Sequence, residues 1–265
     1  MAVGLAGWLV WATAAAATPG WTPLATGVEY RTLVFDPASK GSGLVHVVRI
    51  QPDQAVLRLG VSQAHDGGPR TAAAWCDTLG AVAVINAGMF QTDHVRNVGR
   101  LVDGALENNT HWNDYRSVLV MGPRRKGIPA AALLDLDAAG ARVAAQDYTS
   151  HVQNLRLIKA PGTSVWKPNT KAWSEAAVAQ DAQGRILFVF TRQGYEMATF
   201  NRLLLAAGLD VVAAMHVEGG PEASLSLCRM DPPLHLSGSF ETGFNDNNNN
   251  AVQWPLPNVI AVLPR

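Results

Sequence analysis

Residues 215–224 read MHVEGGPEAS, and they end a largely apolar run that begins near position 210. A short apolar run predicts a buried β-strand, and the helical pattern before it stops at Gly208, a residue suited to the left-handed turn that closes helices. The polar residues around the Gly-Gly-Pro turn that follows are His216, Glu218, Glu222 and Ser224. The stretch predicts either a functional site or, on the plainer interpretation, a turn with solvated flanks.

Charge at the end of a buried strand is costly unless it is paired or used, which favours the functional interpretation. Gly219 and Gly220 carry no side chain, so a ligand can approach the backbone closely there. A second stretch has the same design: residues 81–90 read AVAVINAGMF, a buried-strand pattern that ends in Asn-x-Gly-x-Phe. Its Asn86 either binds sugar hydroxyls or a phosphate oxygen, or organises a turn.

Composition narrows the class of protein. The 265 residues contain 48% hydrophobic residues, enough to bury the core of one domain. Lys plus Arg and Asp plus Glu both number 21, so the formal net charge is zero. Because no basic surface is indicated, we expect no nucleic-acid partner.

The N-terminus is apolar and rich in alanine, and it ends in small residues that match a signal-peptidase site. We therefore expect residues 1–17 to be an export signal and residues 18–265 to be the mature domain, periplasmic or secreted. The run is shorter than the roughly 20 residues that span a bilayer, so a membrane anchor is the weaker alternative. We expect no stable membrane span after processing.

Cysteine and histidine usage indicates no metal or cofactor. Cys76 and Cys228 either pair in an oxidising compartment or remain two separate buried thiols, and the sequence leaves both alternatives open. The seven histidines do not have metal-ligand spacing. The nucleotide-binding, zinc-protease and nucleophile-elbow motifs are also missing from the sequence.

The overall pattern predicts an α+β fold, a single domain with a mostly antiparallel sheet and few helices. Helices are expected at 71–79, between Thr71 and Gly80, and at 197–207. Asp103-Gly104 predicts a tight hairpin turn.

Several further elements are predicted from apolar alternation and turn residues. Residues 44–50 and 55–61 read as a hairpin, and residues 152–158 as one strand. Residues 130–143 are compatible with two strands around Gly140, but their periodicity does not settle the assignment. The asparagine run at 245–250 reads as a mobile loop. The loop from Trp166 to Trp173 suits stacking on sugars or closing a core.

Four pieces occur together in one order: the Asn-x-Gly-x-Phe at 86–90, Gly99-Arg100 with Asp103-Gly104, an acid-Gly-Gly-x-x-x-Ser at 218–224, and the segment 257–260. This combination resembles the phosphodiester glycosidase family, over about residues 45–263. The resemblance implies an α+β fold and hydrolysis of a sugar-1-phosphodiester, in a divergent bacterial branch.

Two departures concern the substrate. Glu218 stands where the family pattern has aspartate, and Ser174-Glu175 stands where many members carry Arg-Thr. An arginine that would hold the phosphate is therefore missing, and Arg100, Arg156 or Arg192 would have to replace it.

The implied reaction passes through an oxocarbenium-like state, and a phosphate leaves as a stable anion. We expect Glu218 to supply the carboxylate that activates water or stabilises the cation, with Glu222 in reserve. Asn86 and His216 are expected to hydrogen-bond the sugar or phosphate, and Arg100 and Arg192 to contact the anion. The other residues expected to bind substrate are Gly88, Phe90, Asn154, Ser174, Gly219, Gly220 and Ser224.

The substrate is thus expected to be a glycosyl phosphodiester in a glycan or cell-envelope polysaccharide. Two other classes of protein stay open. One is an exported glycan-binding protein that keeps the fold without hydrolysis, and the other is a structural envelope protein whose strand-end polar groups satisfy one another.

Overall fold

The computed structural model describes residues 20–35 and 42–265 of the chain, as eighteen β-strands and three α-helices. The strands are β1 (Thr22–Ala25), β2 (Val28–Val34), β3 (Leu44–Ile50), β4 (Ala55–Val61), β5 (Ala83–Asn86), β6 (Leu101–Asp103), β7 (Leu106–Asn109), β8 (Ser117–Pro123), β9 (Ala131–Asp135), β10 (Tyr148–Asn154), β11 (Arg156–Lys159), β12 (Thr163–Ser164), β13 (Ala172–Asp181), β14 (Ile186–Glu196), β15 (Val211–Gly219), β16 (Ser224–Leu227), β17 (Leu234–Ser237) and β18 (Asn258–Pro264). The helices are α1 (Ala72–Leu79), α2 (Ala141–Ala145) and α3 (Met197–Ala206). The predicted export signal at residues 1–17 lies outside the described residues.

The strands form three antiparallel sheets. The largest has eight strands in the order β1-β2-β3-β14-β13-β15-β11-β12. The second has the order β7-β6-β10-β8-β9, and the third has the order β17-β16-β5-β18-β4. The predicted α+β class with mostly antiparallel strands and few helices is confirmed.

The main core joins the three sheets. Met215 and Val217 of β15 are fully buried in it together with Ile85 of β5 and Leu119 of β8. Because side chains alternate along a strand, the residues between them on β15 face the other side of the large sheet. That side is covered by α3 and carries a second apolar cluster, which includes Phe200.

Two helices begin and end close to where the sequence predicts. The Thr71 hydroxyl accepts a hydrogen bond from the Ala74 N–H (3.1 Å), and Gly80 closes α1 in the left-handed conformation at φ 62°. The Glu196 carboxylate caps α3 by accepting from two backbone N–H groups of its first turn. Among the described residues, no helix combines the length and apolar character that crossing a bilayer requires.

Two predictions about strands are wrong, and the structure settles a third segment that the sequence left open. Residues 44–50 and 55–61 do not form a hairpin, because β3 pairs with β2 and β14 in the large sheet while β4 pairs with β18 in the third. Residues 152–158 are divided at Leu155 between β10 and β11, which lie in different sheets. The segment 130–143 contains β9 and then the start of α2, not a second strand.

A disulfide joins Cys76 in α1 to Cys228, directly after β16, with Cα atoms 5.8 Å apart. The two cysteines are 152 residues apart in the sequence, and the bond between them fixes α1 against the third sheet. Of the two alternatives that the sequence left open, the structure has the paired form.

We expect reduction of this disulfide to lower the free energy of unfolding by about 2–5 kcal/mol, since cross-linking distant residues restricts the unfolded chain. Urea denaturation with and without dithiothreitol measures the change. The Cys76→Ala/Cys228→Ala double variant should match the reduced wild type and should not respond to the reductant. Equal midpoints for oxidised and reduced wild type would contradict the expectation.

Candidate active site

A cleft of about 420 Å³ opens at the end of β15. Segments from all three sheets meet there, because the chain crosses between sheets at Leu155 and the loop after β5 turns towards β15. The lining residues are Met89, Phe90, Val98, Leu155, Trp166, Trp173, His216, Glu218, Gly219, Glu222 and Glu241. A concave, mostly apolar cleft with a few convergent polar groups is the usual form of a small-molecule site.

His216 and Glu218 both line the cleft. They lie two residues apart at the end of β15. Neighbouring β13 shifts register between them, with His216 opposite Ala177 and Glu218 opposite Ala176. This irregularity of the strand pair brings the two ionisable groups to one cleft.

A buried contact joins His216 to Glu175 of β13. Nδ1 of His216 lies 2.7 Å from Oε1 of Glu175, and both side chains are almost completely buried. Oε2 of Glu175 accepts a hydrogen bond from Nε1 of Trp173 (2.8 Å), a group that can only donate. The Glu175 carboxyl group thus contacts His216 through one oxygen and Trp173 through the other.

Burial and charge oppose each other in this pair. Burial alone would lower the pKa of His216, but the charge and hydrogen bond of Glu175, together with the charges of Glu218 and Glu241, outweigh burial, so the pKa of His216 is raised. Burial raises the pKa of Glu175, and the hydrogen bonds from His216 and Trp173 oppose that rise. Nε2 of His216 has no hydrogen-bond partner among the described residues, so it is available to a ligand in the cleft.

Glu218 is the most perturbed acid of the cleft. Its side chain accepts a hydrogen bond from the Gly219 N–H (3.1 Å). Burial raises its pKa to about 8; His216 opposes this rise, and the charge of Glu222 adds to it. Burial also raises the pKa values of Glu222 and Glu241. At neutral pH, Glu218 therefore carries a proton that it can donate.

The two glycines at this turn have different environments. Gly219 lines the cleft and lies against Trp173, whose ring occupies the space that a Cβ would need. Gly220 has φ +62°, and the Glu241 side chain fills its Cβ position, so only glycine fits there. Of the predicted pair, Gly219 lines the cleft beside Trp173, whereas Gly220 lets Glu241 approach the turn.

Asn86 supports the site from behind. Its Nδ2 donates to the Glu222 carbonyl (3.0 Å), and its Oδ1 accepts from the Ser224 N–H (2.7 Å). The Ser224 hydroxyl, fully buried, donates to the same Glu222 carbonyl (3.1 Å). Neither Asn86 nor Ser224 lines the cleft. Both hold the turn that carries Glu222, whereas the sequence predicted that they contact the substrate.

The other residues of the Asn-x-Gly-x-Phe segment also include one that lines the cleft and one that does not. Phe90 lines the cleft. Gly88 is buried against the amides of Asn97 and Asn154, which fill the space of a Cβ. Asn154 donates to the Ala87 carbonyl (2.7 Å) and does not reach the cleft.

Arg192 and Ser174, both predicted to contact substrate, hold the loop 237–250. Arg192 donates to Oδ1 of Asn248 (2.6 Å) and to backbone carbonyls at both ends of this loop. The Ser174 hydroxyl donates to the Arg192 carbonyl (2.6 Å) and accepts from two consecutive N–H groups of the loop. The asparagine run predicted to be mobile is thus bonded to the sheet, and the loop positions Glu241.

The other two candidate arginines are also engaged away from the cleft. Arg100 donates through Nε to Nε2 of His151 (2.8 Å) in the second sheet. Arg156 is paired with Asp135 (2.5 Å) and Asp137 (2.7 Å). None of the arginines proposed to replace the missing phosphate ligand lines the cleft.

The segment of the chain that forms this cleft also identifies the protein family. The phosphodiester glycosidase model matches residues 79–263, which contain every residue that lines it. The chain belongs to the phosphodiester glycosidase family.

Solved structures show the same fold. The catalytic domain of zebrafish N-acetylglucosamine-1-phosphodiester alpha-N-acetylglucosaminidase, auto-inhibited by its pro-peptide, is similar with a TM-score of 0.62 and 13% identity, over 91% of this chain and 85% of that one. A hypothetical protein from Synechocystis has a TM-score of 0.60 and 14% identity, over 90% of this chain and 62% of that one. No curated protein sequence matches the chain.

Within this phosphodiester glycosidase fold, sequence reasoning missed two acids. Glu175 was noted only as a departure from the family pattern, although a charged residue beside the apolar run 176–179 signals a buried partner. Glu241 had no such signal, because it lies in a polar tail and reaches the cleft only through the loop it belongs to. In the described part of the chain, no three His, Cys, Asp or Glu side chains are placed to hold a metal ion.

We expect Glu218→Gln to stabilise the protein at alkaline pH. The pKa of Glu218 is about 8 in the folded state and 4.5 in the unfolded state, so between these pH values the folded state keeps a proton that the unfolded state loses. Wild-type stability is therefore full below pH 4.5 and falls as pH rises towards 8. Glutamine removes this pH dependence. Each unit of difference between the folded-state and unfolded-state pKa changes the free energy of unfolding by at most about 1.4 kcal/mol.

Urea midpoints of wild type and Glu218→Gln at about pH 4, 6 and 9 measure this difference. The stability of the variant relative to wild type should grow between the first and last pH. Glu107→Gln, an exposed change on β7, is the matched control and should show no such growth. A difference independent of pH would show that burial does not perturb Glu218.

Proposed function

We propose that this protein is a hydrolase that cleaves the bond at the anomeric carbon of a carbohydrate, with Glu218 as the general acid. One observation carries the proposal: a buried carboxyl group with a pKa of about 8 faces a cleft lined by two tryptophans. A catalytic acid needs a pKa near the working pH, and burial of a carboxyl group is how proteins reach it.

The pKa changes the role expected from the sequence. An ionised Glu218 would activate water or stabilise a cation, whereas a protonated Glu218 donates to the leaving oxygen. Glycoside hydrolysis uses a second carboxylate on the other side of the bond, and Glu222 and Glu241 are the candidates in the cleft. His216, held by Glu175, donates from Nε2 to the sugar.

The aromatic lining supports a carbohydrate substrate. Trp166 and Trp173 present broad apolar surfaces, and each has its Nε1 bonded to the protein, by the Arg156 carbonyl and by Glu175. Their orientation is therefore fixed before a ligand binds. The expectation of a sugar-1-phosphodiester in a glycan or cell-envelope polysaccharide stays a prediction.

We expect Glu218→Gln to lower kcat by about 10²–10⁴-fold, the usual contribution of general acid catalysis. Release of free sugar from a panel of α- and β-glycosides and sugar-1-phosphodiesters, by protein lacking residues 1–17, measures the loss. Wild-type activity should fall as pH rises through about 8, because only the protonated form of Glu218 donates, and it should also fall at acidic pH, where the second carboxylate becomes protonated.

The control for this assay is Glu107→Gln, which should retain wild-type kcat and pH dependence. If Glu218→Gln keeps kcat within tenfold of the wild-type value, Glu218 is not the general acid. Binding of glycans by wild type without turnover of any member would instead identify a glycan-binding protein on the same fold.

We also propose that the chain is exported, with residues 1–17 removed and residues 18–265 forming the mature domain. The disulfide between Cys76 and Cys228 supports an oxidising compartment. The full chain expressed in a Gram-negative host should appear in the periplasm with the intact mass of residues 18–265 and no free thiol. An uncleaved, reduced chain in the cytoplasmic fraction would overturn this proposal.

A further inference from the structure

Three arginines gather around Trp112 and His151, outside the lining of the cleft. The guanidinium carbons of Arg100 and Arg142 lie 5.3 and 5.5 Å from the centroid of the Trp112 ring. The same ring stacks on His151 of β10, with centroids 5.8 Å apart and planes 4° from parallel. Arg124 is close enough for its charge to act on His151. We call Arg100, Arg124 and Arg142 the arginine cluster.

The positive charge of this cluster is not neutralised. The neighbouring arginines that pair with an aspartate are Arg96, Arg116, Arg125 and Arg156. In contrast, no member of the cluster forms an ion pair with a carboxylate of the described residues. Glu107 shares a sheet face with His151, because Val102 pairs with both, and this exposed acid offsets only part of the positive charge.

His151 fixes the direction of Arg100. Burial, followed by the charges of Arg100 and Arg124, lowers the pKa of His151 to about 4, so the ring is neutral above that pH. Its Nε2 accepts from Nε of Arg100 (2.8 Å), and Nη1 of Arg100 donates to the Thr110 carbonyl. Nη2 of Arg100 has no hydrogen-bond partner in the described part of the chain. Arg142 is exposed, so both guanidinium groups can donate to a ligand.

The cluster adjoins the cleft at Val98, one of the lining residues. Arg100 follows Val98 by two residues, so their Cα atoms lie within about 7 Å of each other. The Val98 carbonyl also accepts a hydrogen bond from Nδ2 of Asn113 (3.3 Å), the residue after Trp112. A chain that leaves the cleft along this wall therefore meets the cluster.

The chemistry of the cluster suits a polymer with repeated anionic groups. Guanidinium groups match the planar or branched oxygens of carboxylates and phosphates. A single small anion gains little at an exposed site, because salt and water screen its charge. A chain gains more, since each further contact is intramolecular once the first is made. Because the cluster adjoins a cleft of a glycosidase family, a glycan is the polymer that reaches both.

We propose that the arginine cluster binds phosphate or carboxylate groups of an anionic polysaccharide, outside the cleft in which one bond of that polysaccharide is hydrolysed. The inference deepens the proposed function, on which it rests, by making the substrate a negatively charged chain. The cluster takes no part in bond cleavage. It keeps the chain bound, so its loss raises KM for the chain and leaves kcat unchanged.

Binding to Glu218→Gln, which should not shorten the ligand, tests the inference independently of turnover. Calorimetric titrations at low ionic strength use alginate, which carries carboxylates, yeast phosphomannan, which carries phosphates, and neutral dextran as the control. At least one acidic polymer should bind at least about tenfold more tightly than dextran, and added salt should weaken its binding. Binding of neither acidic polymer, or binding that is equal to that of dextran or insensitive to salt, overturns the inference.

Arg142→Glu, made in the same background, tests the cluster itself. This exposed change on α2 should weaken binding of the acidic polymer by at least about fivefold, equivalent to about 1 kcal/mol, and Arg142→Gln should weaken it less. Arg202→Glu is the matched control, because it reverses the charge of an exposed arginine on α3. It should leave the affinity unchanged. Equal losses in Arg142→Glu and Arg202→Glu would show that net charge, not the cluster, determines binding.

Vesicles of phosphatidylglycerol and a DNA duplex decide the class of polymer. If either binds more tightly than both acidic polysaccharides, and loses affinity in Arg142→Glu, the assignment to a glycan is overturned.

Kinetics in the wild-type background separate the two proposals. For an acidic polymer that is hydrolysed, Arg142→Glu should raise KM and keep kcat, and both constants for a small substrate of the panel should stay at wild-type values. A lower kcat on the small substrate would contradict a role confined to chain binding. If wild type turns over no substrate, the proposed hydrolase fails, and the titrations alone decide whether the cluster binds an anionic glycan.

Discussion

The buried contact between His216 and Glu175 is the interaction on which the rest of the site depends. Two ionisable groups lie on adjacent strands of the largest sheet, and neither is tolerated there without the other. The same Glu175 fixes Trp173, and Trp173 in turn closes over Gly219. This contact therefore sets the positions of His216, of the Trp173 ring and of the backbone beside Glu218.

Polar residues that look like ligand contacts are largely the framework of the site. Asn86 holds the turn that carries Glu222, while Ser174 and Arg192 hold the loop that carries Glu241. The chemistry is the same in both roles, since an amide or guanidinium that can bind a phosphate also binds backbone carbonyls. In this chain the acids face the cleft and the groups that would attract an anion support them from behind.

This arrangement connects stability with function. Holding Glu218 protonated at neutral pH requires a dry, acidic surrounding, which destabilises the folded state once the group ionises. The disulfide at Cys228, just after the strand that follows Glu222, ties this region to α1. Family membership accounts for the fold.

The sequence by itself determined the features that local chemistry controls: α1 between Thr71 and Gly80, the hairpin turn at Asp103-Gly104, and the strand that ends at the Gly-Gly-Pro turn within 215–224. Tertiary structure alone decided that β3 and β4 lie in different sheets and that the chain divides at Leu155. It also decided which side chains line the cleft, bringing in Glu241 and removing Asn86, Arg100 and Arg192. The reason is physical: caps and turns are closed by neighbours within a few residues, whereas strand partners and the bonds of buried polar groups come from residues far apart in the chain, which local sequence does not specify.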